Sequence, residues 1–336
     1  MSGINRRQFI LRSTAVVTSV AAAGIVIEDL LTRPKPGFDS KDFPRPAGSA
    51  VAVLRATSYD RDLEEIVAEG LRTVGADVRG KSVLLKPNLV EFRANSVINT
   101  DPRLVAATVV AMRRMGAREV VVAEGPGHRR DTEAIVVASG LLDALADTGS
   151  RFVDLNAAPL GQATLQTRYT GLGRMWLPRA VLDADLVVSM PKLKTHHWVG
   201  VTLSLKNCFG CVPGRVYGWP KNVLHWRGVE NSILDIATAV RPGLAIIDGI
   251  VGMQGDGPIM GTPAHSGVLV FSTDPVAADV TAATLMGIDP ERVAYLKEAG
   301  RFLGQADLDR IEQRGEDVGR SVTHFTPAPG FERLSA

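Results

Sequence analysis

The sequence predicts an α/β protein of two lobes, with mostly parallel sheets flanked by helices and a cleft between the lobes. Three observations carry this. From Ala50 onward, short β-rich runs alternate with helical patterns: "VAVLR" then residues 60–74, "SVLLK" then 102–115, "EVVVAEG" then 132–146. Such alternation is the pattern of βαβ units. The best strands end in loops rich in Lys, His and Asn, and ligands of open α/β sheets bind beyond the carboxyl ends of strands. The composition, 45% apolar and 22% charged over 336 residues, provides a sizeable core.

Taken in chain order, residues 1–33 read as an address. "NRRQFILR" sets paired arginines before Phe9, and an apolar or small run from Ser13 to Ile27 follows, about fifteen residues against the ~20 of a spanning helix. This is the pattern of a twin-arginine export signal, with Asn5 where Ser or Thr is common, and it makes the twin-arginine translocase the expected partner. Ala21–Ala23 offers a cleavage site inside the apolar run; retention as a membrane anchor is the other outcome. The expected location is outside the cytoplasmic membrane. A linker covers 34–49, and residues 326–336 form a tail. Between them, 50–325 holds both lobes, divided near 155–180, where "GQATLQTRYTGLGRMWLP" reads as a connecting hairpin or loop. "RFVDL", "DLVVSM", "LAIIDG" and "GVLVFS" are further strands, the last leading into a helix over 274–285.

The net charge of +2 rests on Arg6, Arg7 and Arg12 of that address; without them no basic surplus remains, which argues against nucleic acid as a partner. Two cysteines are too few for a four-thiolate cluster or a disulfide framework.

Four loops carry the chemistry. "LLKPNLVE" places Lys86 at the end of an apolar strand, with Asn88 beyond; a lysine there either faces an anionic ligand or snorkels at the strand edge. "EGPGHRRDT" presents His128, Arg129 and Arg130 before a helix capped by Asp131 or Thr132, a site for phosphate or carboxylate, or a solvated polar turn. "SMPKLKTHHWVGVTLSLKNCFGC" gathers Lys194, His196, His197, Lys206, Asn207, Cys208 and Cys211. In extended chain His196 and His197 point opposite ways, so only one is expected to face the cleft. Lys206 follows an apolar stretch that predicts a partly buried amine of depressed pKa, suited to covalent or proton-transfer work. The C-x-x-C reads as disulfide or packing, as metal or sulfur ligation, or as a redox pair. "IIDGIVGMQGDGPIMGTP" lacks the dinucleotide-binding spacing and reads as a close-packed loop around a ligand, with Asp248, Asp256, Gly255 and Gly257, or as a turn-rich connection.

Together "LLKPNLV", "DADLVVSMPKLKTHHWVGVTLSLKNCFGCVPG", "VLHW", "IIDGIVGMQGDGPIMGTP" and "STDPVAADVTAATLMGIDP" closely resemble the domain of unknown function 362 family, over roughly residues 50–315. The chain lacks the ferredoxin-like cysteine runs that some members carry. A weaker similarity is to the nickel-pincer lactate racemases, whose cofactor is a pyridinium nucleotide tethered to a lysine and ligated by histidine. "GHRR", "KTHH", "SLKN", "VPG" and "VLHW" match that family's order, with Ser204-Leu205 where it has Gly-Gly. The resemblance implies His128 and His196 as acid and base, Lys206 as anchor and His225 as metal ligand.

The function expected is that of an exported, cofactor- or metal-dependent isomerase or oxidoreductase acting on a small anion. Its catalytic residues would be His128, His196 and Lys206, its binding residues Lys86, Asn88, Arg129, Lys194, Asn207, Asp248, Gly255 and Gly257, and its metal ligands His225, Cys208 and Cys211. The rivals are a metal or iron-sulfur protein, ligated by the cysteines with His196 or His197 and His225, and a non-catalytic envelope binding protein.

Overall fold

The computed structural model describes residues 37–127 and 131–336; the twin-arginine segment and His128, Arg129 and Arg130 lie outside the described residues. The strands are β1 (Ser49–Arg55), β2 (Ser82–Pro87), β3 (Glu119–Glu124), β4 (Phe152–Asp154), β5 (Leu160–Thr164), β6 (Arg174–Pro178), β7 (Leu186–Met190), β8 (Lys192–His196), β9 (Gly200–Thr202), β10 (Leu244–Gln254), β11 (Thr262–Ala264), β12 (Val268–Ser272) and β13 (Ile311–Gly315).

Eleven of them form one mixed sheet. Its order is β13-β1-β12-β10-β7-β2-β3-β4, with β8 and β11 pairing β10 and β9 pairing β8. The run from β10 through β7, β2 and β3 to β4 is parallel, whereas β12 is antiparallel to both neighbours. The α/β class is therefore as expected. The segment at 155–180 contains the β5–β6 hairpin, paired from Leu160↔Pro178 to Thr164↔Arg174. The strands on either side of it lie in a single sheet, because β10 returns to pair with β7 at Leu244↔Val188.

Side chains alternate across each strand, so one strand feeds two cores. Val51 and Val53 of β1 and Ala245 and Ile247 of β10 face one apolar cluster; Ala52, Leu54, Leu244 and Ile246 face the other. The second cluster is covered by α1 (Leu63–Thr73) and α2 (Pro102–Arg114). Asp62 and Asp101 cap these helices, and Pro102 occupies the first turn, where its missing N–H costs nothing. The expected helix over 132–146 is two short ones: α3 (Thr132–Ala138), capped by Asp131 through Ala134 N at 2.9 Å, and Leu141–Leu145, separated at left-handed Gly140. The first cluster is covered by α5 (Val229–Val240) and α6 (Pro275–Leu285), while α4 (Ser204–Asn207) is a single turn wedged against α6. Asp279 of α6 accepts Ser204 N at 2.7 Å and Leu205 N at 3.0 Å, supplying the cap that α4 lacks in its own sequence.

The described part of the linker, residues 37–49, and the tail are packed. Phe38 stacks on Phe302 at 4.3 Å, and Ala336 N reaches Gly287 O at 2.9 Å. Among the described residues no helix is long and apolar enough to cross a membrane.

Candidate active site

Strands β2, β3 and β8 deliver Lys86, Glu124 and His196 to one end of the sheet, where a cavity of about 350 Å³ opens. It is lined by Lys86, Asn88, Glu124, Lys194, His196, His197, Thr202, Lys206, Asn207, Lys221 and His225, with Trp198, Phe209, Pro258 and Ile259 as apolar walls.

Lys86 and Glu124 end neighbouring parallel strands and form a buried ion pair. The Lys86 ammonium also donates to Pro87 O at 2.7 Å and Asn207 Oδ1 at 3.0 Å, so its three hydrogens are spent. Asn207 is oriented in turn by Lys86 O and Ser189 Oγ, each at 3.0 Å. Glu124 also takes N–H groups from Gly125 at 2.8 Å and Leu89 at 3.2 Å. This lattice presses against Gly210, where any Cβ would run into the Glu124 carboxylate and the Lys86 ammonium.

The other three amines have no carboxylate partner among the described residues. Lys194 donates to Ile98 O at 2.7 Å and Pro258 O at 3.3 Å. Lys221 donates to Phe209 O at 2.6 Å and Gly125 O at 2.8 Å. Lys206, half-buried, sits over the Phe209 ring with its amine 4.4 Å from the centroid. Burial, reinforced by neighbouring lysines, lowers all three pKa values: Lys194 well below its ordinary range, Lys206 to about 8 and Lys221 to about 7. Lys221 holds a left-handed backbone, φ 71°, which is strained for a residue with a Cβ.

The two histidines differ in tautomer. His196 Nδ1 accepts the Trp198 N–H at 3.1 Å, which puts the proton on Nε2. His225 Nδ1 lies 3.0 Å from Lys221 O, which can only accept, so His225 carries its proton on Nδ1 and a lone pair on Nε2. Desolvation lowers both pKa values, His196 strongly, and keeps both rings neutral near pH 7. One imidazole is built to donate, the other to accept a proton or bind a metal.

Most of the sequence-derived site converges here: Lys86, Asn88, Lys194, His196, Lys206, Asn207 and His225 all line the cavity. Gly127 lines it too, and the next residues, His128 and Arg129, lie outside the described residues. Five of the expected residues, Asp248, Gly255, Gly257, Cys208 and Cys211, are not among the cavity's lining residues. Asp248 does not line the cavity; it is locked behind it by Lys192 Nζ at 2.6 Å, Tyr59 Oη at 2.8 Å and Asp101 N at 3.0 Å. Gly255 and Gly257 serve loop packing. Gly255 adopts φ 77° and donates to Thr326 O at 2.8 Å, and the Gly257 position is pressed against Thr195 O; their neighbours Pro258 and Ile259 form the wall. Cys208 and Cys211 are free thiols with no solvent exposure, packed in an apolar cluster. Burial raises both thiol pKa values, Cys211 to about 12, which favours the protonated thiol. Among the described residues no group of three or more His, Cys, Asp or Glu is placed to hold a metal ion. His196 and His197 both reach the cavity, because β8 ends at His196 and the chain turns at once; His197 sits 3.5 Å from Asp256.

Glu124 and Lys221 were missed. Glu124 had a signal, a charge ending an apolar strand as Lys86 does one strand over. Lys221, in "WPKN", had none, since its placement depends on a left-handed turn.

Fold and site together define an α/β protein with a lysine- and histidine-lined cavity at the carboxyl ends of its parallel strands. A family model described as "Domain of unknown function (DUF362)" matches residues 83–284, and the chain belongs to that family. A thylakoid-associated protein of Synechocystis sp. is 28% identical over 266 residues, spanning 75% of this chain and 79% of that protein. Among solved structures, the lactate racemase apoprotein from Thermoanaerobacterium thermosaccharolyticum aligns at TM-score 0.45 and 14% identity over 74% of this chain. A Thermotoga maritima protein aligns at 0.41 and 14% over 66%. The chain spans 59% and 58% of those two proteins, less than two-thirds of either.

Proposed function

We propose that the chain is an enzyme of the isomerase or oxidoreductase class, acting on a small anion at a carbon that bears a hydroxyl or amine. The observation that carries this reading is the gathering of four lysines around one cavity with Glu124 as the only carboxylate among its described lining residues. Buried ammonium groups without counter-charges are costly, and an anionic ligand offsets that cost. In this reading Lys194 and Lys221 hold the anion. His196 Nε2–H donates to an oxygen on the reacting carbon, and His225 Nε2 accepts a proton or ligates a metal. Lys206, part neutral at physiological pH, serves as nucleophile or covalent anchor.

Of the cofactors implied by resemblance, an iron-sulfur cluster does not fit: there are only two thiols, both fully buried in an apolar cluster and outside the cavity. A nickel-bearing nucleotide tethered through lysine fits the donor set, with Lys206 as the anchoring amine and His225 Nε2 as the ligand. Such a group supplies a redox-active centre at the substrate carbon; binding, orientation and proton handling fall to the residues named above. We also propose that the protein is exported through the twin-arginine route, on the strength of Arg6, Arg7 and the apolar run after them.

The test is peptide mapping by mass spectrometry of protein isolated from its native cell, with exchange of carbon-bound hydrogen in small 2-hydroxy acids followed by NMR in deuterated water. The expected result is a mass increment on the Lys206 peptide, or exchange that disappears in Lys206→Ala at unchanged melting temperature. An unmodified Lys206 together with no exchange refutes the reading.

A further inference from the structure

Hydrogen-bond counting in the cavity narrows the ligand. An ammonium has three hydrogens. Lys86 spends all three, on Glu124, Pro87 O and Asn207 Oδ1, and its charge is matched by Glu124. Behind the cavity Lys192 is likewise closed by Asp248 and Tyr59. Lys194 and Lys221 each spend two hydrogens on backbone carbonyls, which satisfy geometry without neutralising charge; in the ammonium form that a bound anion favours, each keeps one. Their backbone partners, Ile98, Pro258, Gly125 and Phe209, fix the two amines from different loops, so they form rigid points of attachment.

A second, independent observation concerns acceptors. Asn88 and Thr202 line the same cavity, and Asn88 Oδ1 and Thr202 Oγ1 are buried with no hydrogen-bond partner among the described residues. Asn88 Oδ1 can only accept, so the missing partner must donate. Asn88 Oδ1 is left unsatisfied unless the ligand supplies a hydroxyl or amine hydrogen, whereas the Thr202 hydroxyl can either accept or donate.

We propose that the ligand of this cavity is a small dianion bearing at least one hydroxyl or amine, its two charges held by Lys194 and Lys221 and its donor group by Asn88 Oδ1, with Thr202 Oγ1 alongside. This rests on the reading that the cavity is an active site for an anion and names the class of that anion. A monoanion leaves one of the two fixed amines unmatched. A dianion satisfies both and leaves Lys206 as the amine free for chemistry. The volume of about 350 Å³ lies at the small end of ligand sites and suits a hydroxylated dicarboxylate or the phosphate ester of a short polyol.

The test is isothermal titration calorimetry of the full chain at constant ionic strength with four probes: malate, glycerol 3-phosphate, succinate and lactate. Malate or glycerol 3-phosphate is expected to bind at least about tenfold more tightly than lactate, and the tighter of the two tells a dicarboxylate site from a phosphate site. Succinate, which lacks the hydroxyl, is expected to fall below malate in a dicarboxylate site. In Lys194→Met or Lys221→Met, with folding checked by circular dichroism, the preference for dianion over lactate should collapse. Lactate binding as tightly as both hydroxylated dianions overturns the charge assignment. Succinate equal to malate overturns the donor assignment. In either case the proposed enzyme survives, whereas failure of all four probes to bind overturns this inference and that reading together.

Discussion

Single side chains in this protein carry their chemistry through what surrounds them. Lys206 has no carboxylate partner among the described residues and a pKa lowered to about 8 by burial and the nearby Lys86 charge. Only the neutral amine reacts with an acylating reagent, so labelling of Lys206 should rise as pH passes upward through about 8, well before ordinary lysines near ~10.4 respond. Acetic anhydride labelling followed by peptide mass spectrometry measures this midpoint; one above 10 would show that the amine is not perturbed. The Lys86–Glu124 pair is closed and inert by comparison. Glu124→Gln strands a buried ammonium and is expected to cost roughly 3–5 kcal/mol in urea unfolding, whereas Lys86→Met with Glu124→Leu should cost much less, because no charge is left unpaired.

At the scale of elements, the site depends on a one-turn helix too short to hold itself. α4 carries Lys206 and Asn207, and its first N–H groups end on Asp279 of α6. Asp279→Ala leaves Ser204 N and Leu205 N buried without acceptors, so a loss of about 1–3 kcal/mol per group is expected, and Lys206 labelling should revert toward that of an exposed lysine. Burial raises the Asp279 carboxyl from 3.8 to about 7. A raised acid means that the folded chain binds this proton more tightly than the unfolded chain does. Its contribution to stability therefore falls as pH rises from about 4 to 7 and is constant above. Asp279→Asn should flatten that part of a pH series of chemical denaturation curves.

The legibility of the sequence follows the same division. Strand and helix alternation was readable because each element buries a continuous apolar face, and Asp62, Asp101, Asp131 and Asp274 mark helix starts by local capping. Lys86, Lys194 and Lys206 were readable because charge at the end of an apolar run is rare. The Cys208–Cys211 spacing left packing, ligation and redox open, since two residues of separation say nothing about burial. Asp248 misled because its partners Tyr59 and Lys192 are brought to it by the sheet.

For the whole molecule, the proposed export rests on Arg6 and Arg7, and replacing both with Lys should leave the protein in the cytoplasmic fraction; normal delivery of that variant would sink the assignment. The sheet adds a constraint of its own. β1, the strand next after the linker, lies between β12 and β13, with Ala52 opposite Phe271 and Ser49 opposite Ile311. A nascent chain therefore makes β1 early and docks it late, once β12 has left the ribosome, and completes its second edge only with β13. Such distant pairing slows folding and leaves an open edge while synthesis continues. The sheet is in effect a clasp: a product truncated before Ile311 is expected to leave β1 unpaired on one side, an exposed edge that limited proteolysis would detect as faster cleavage.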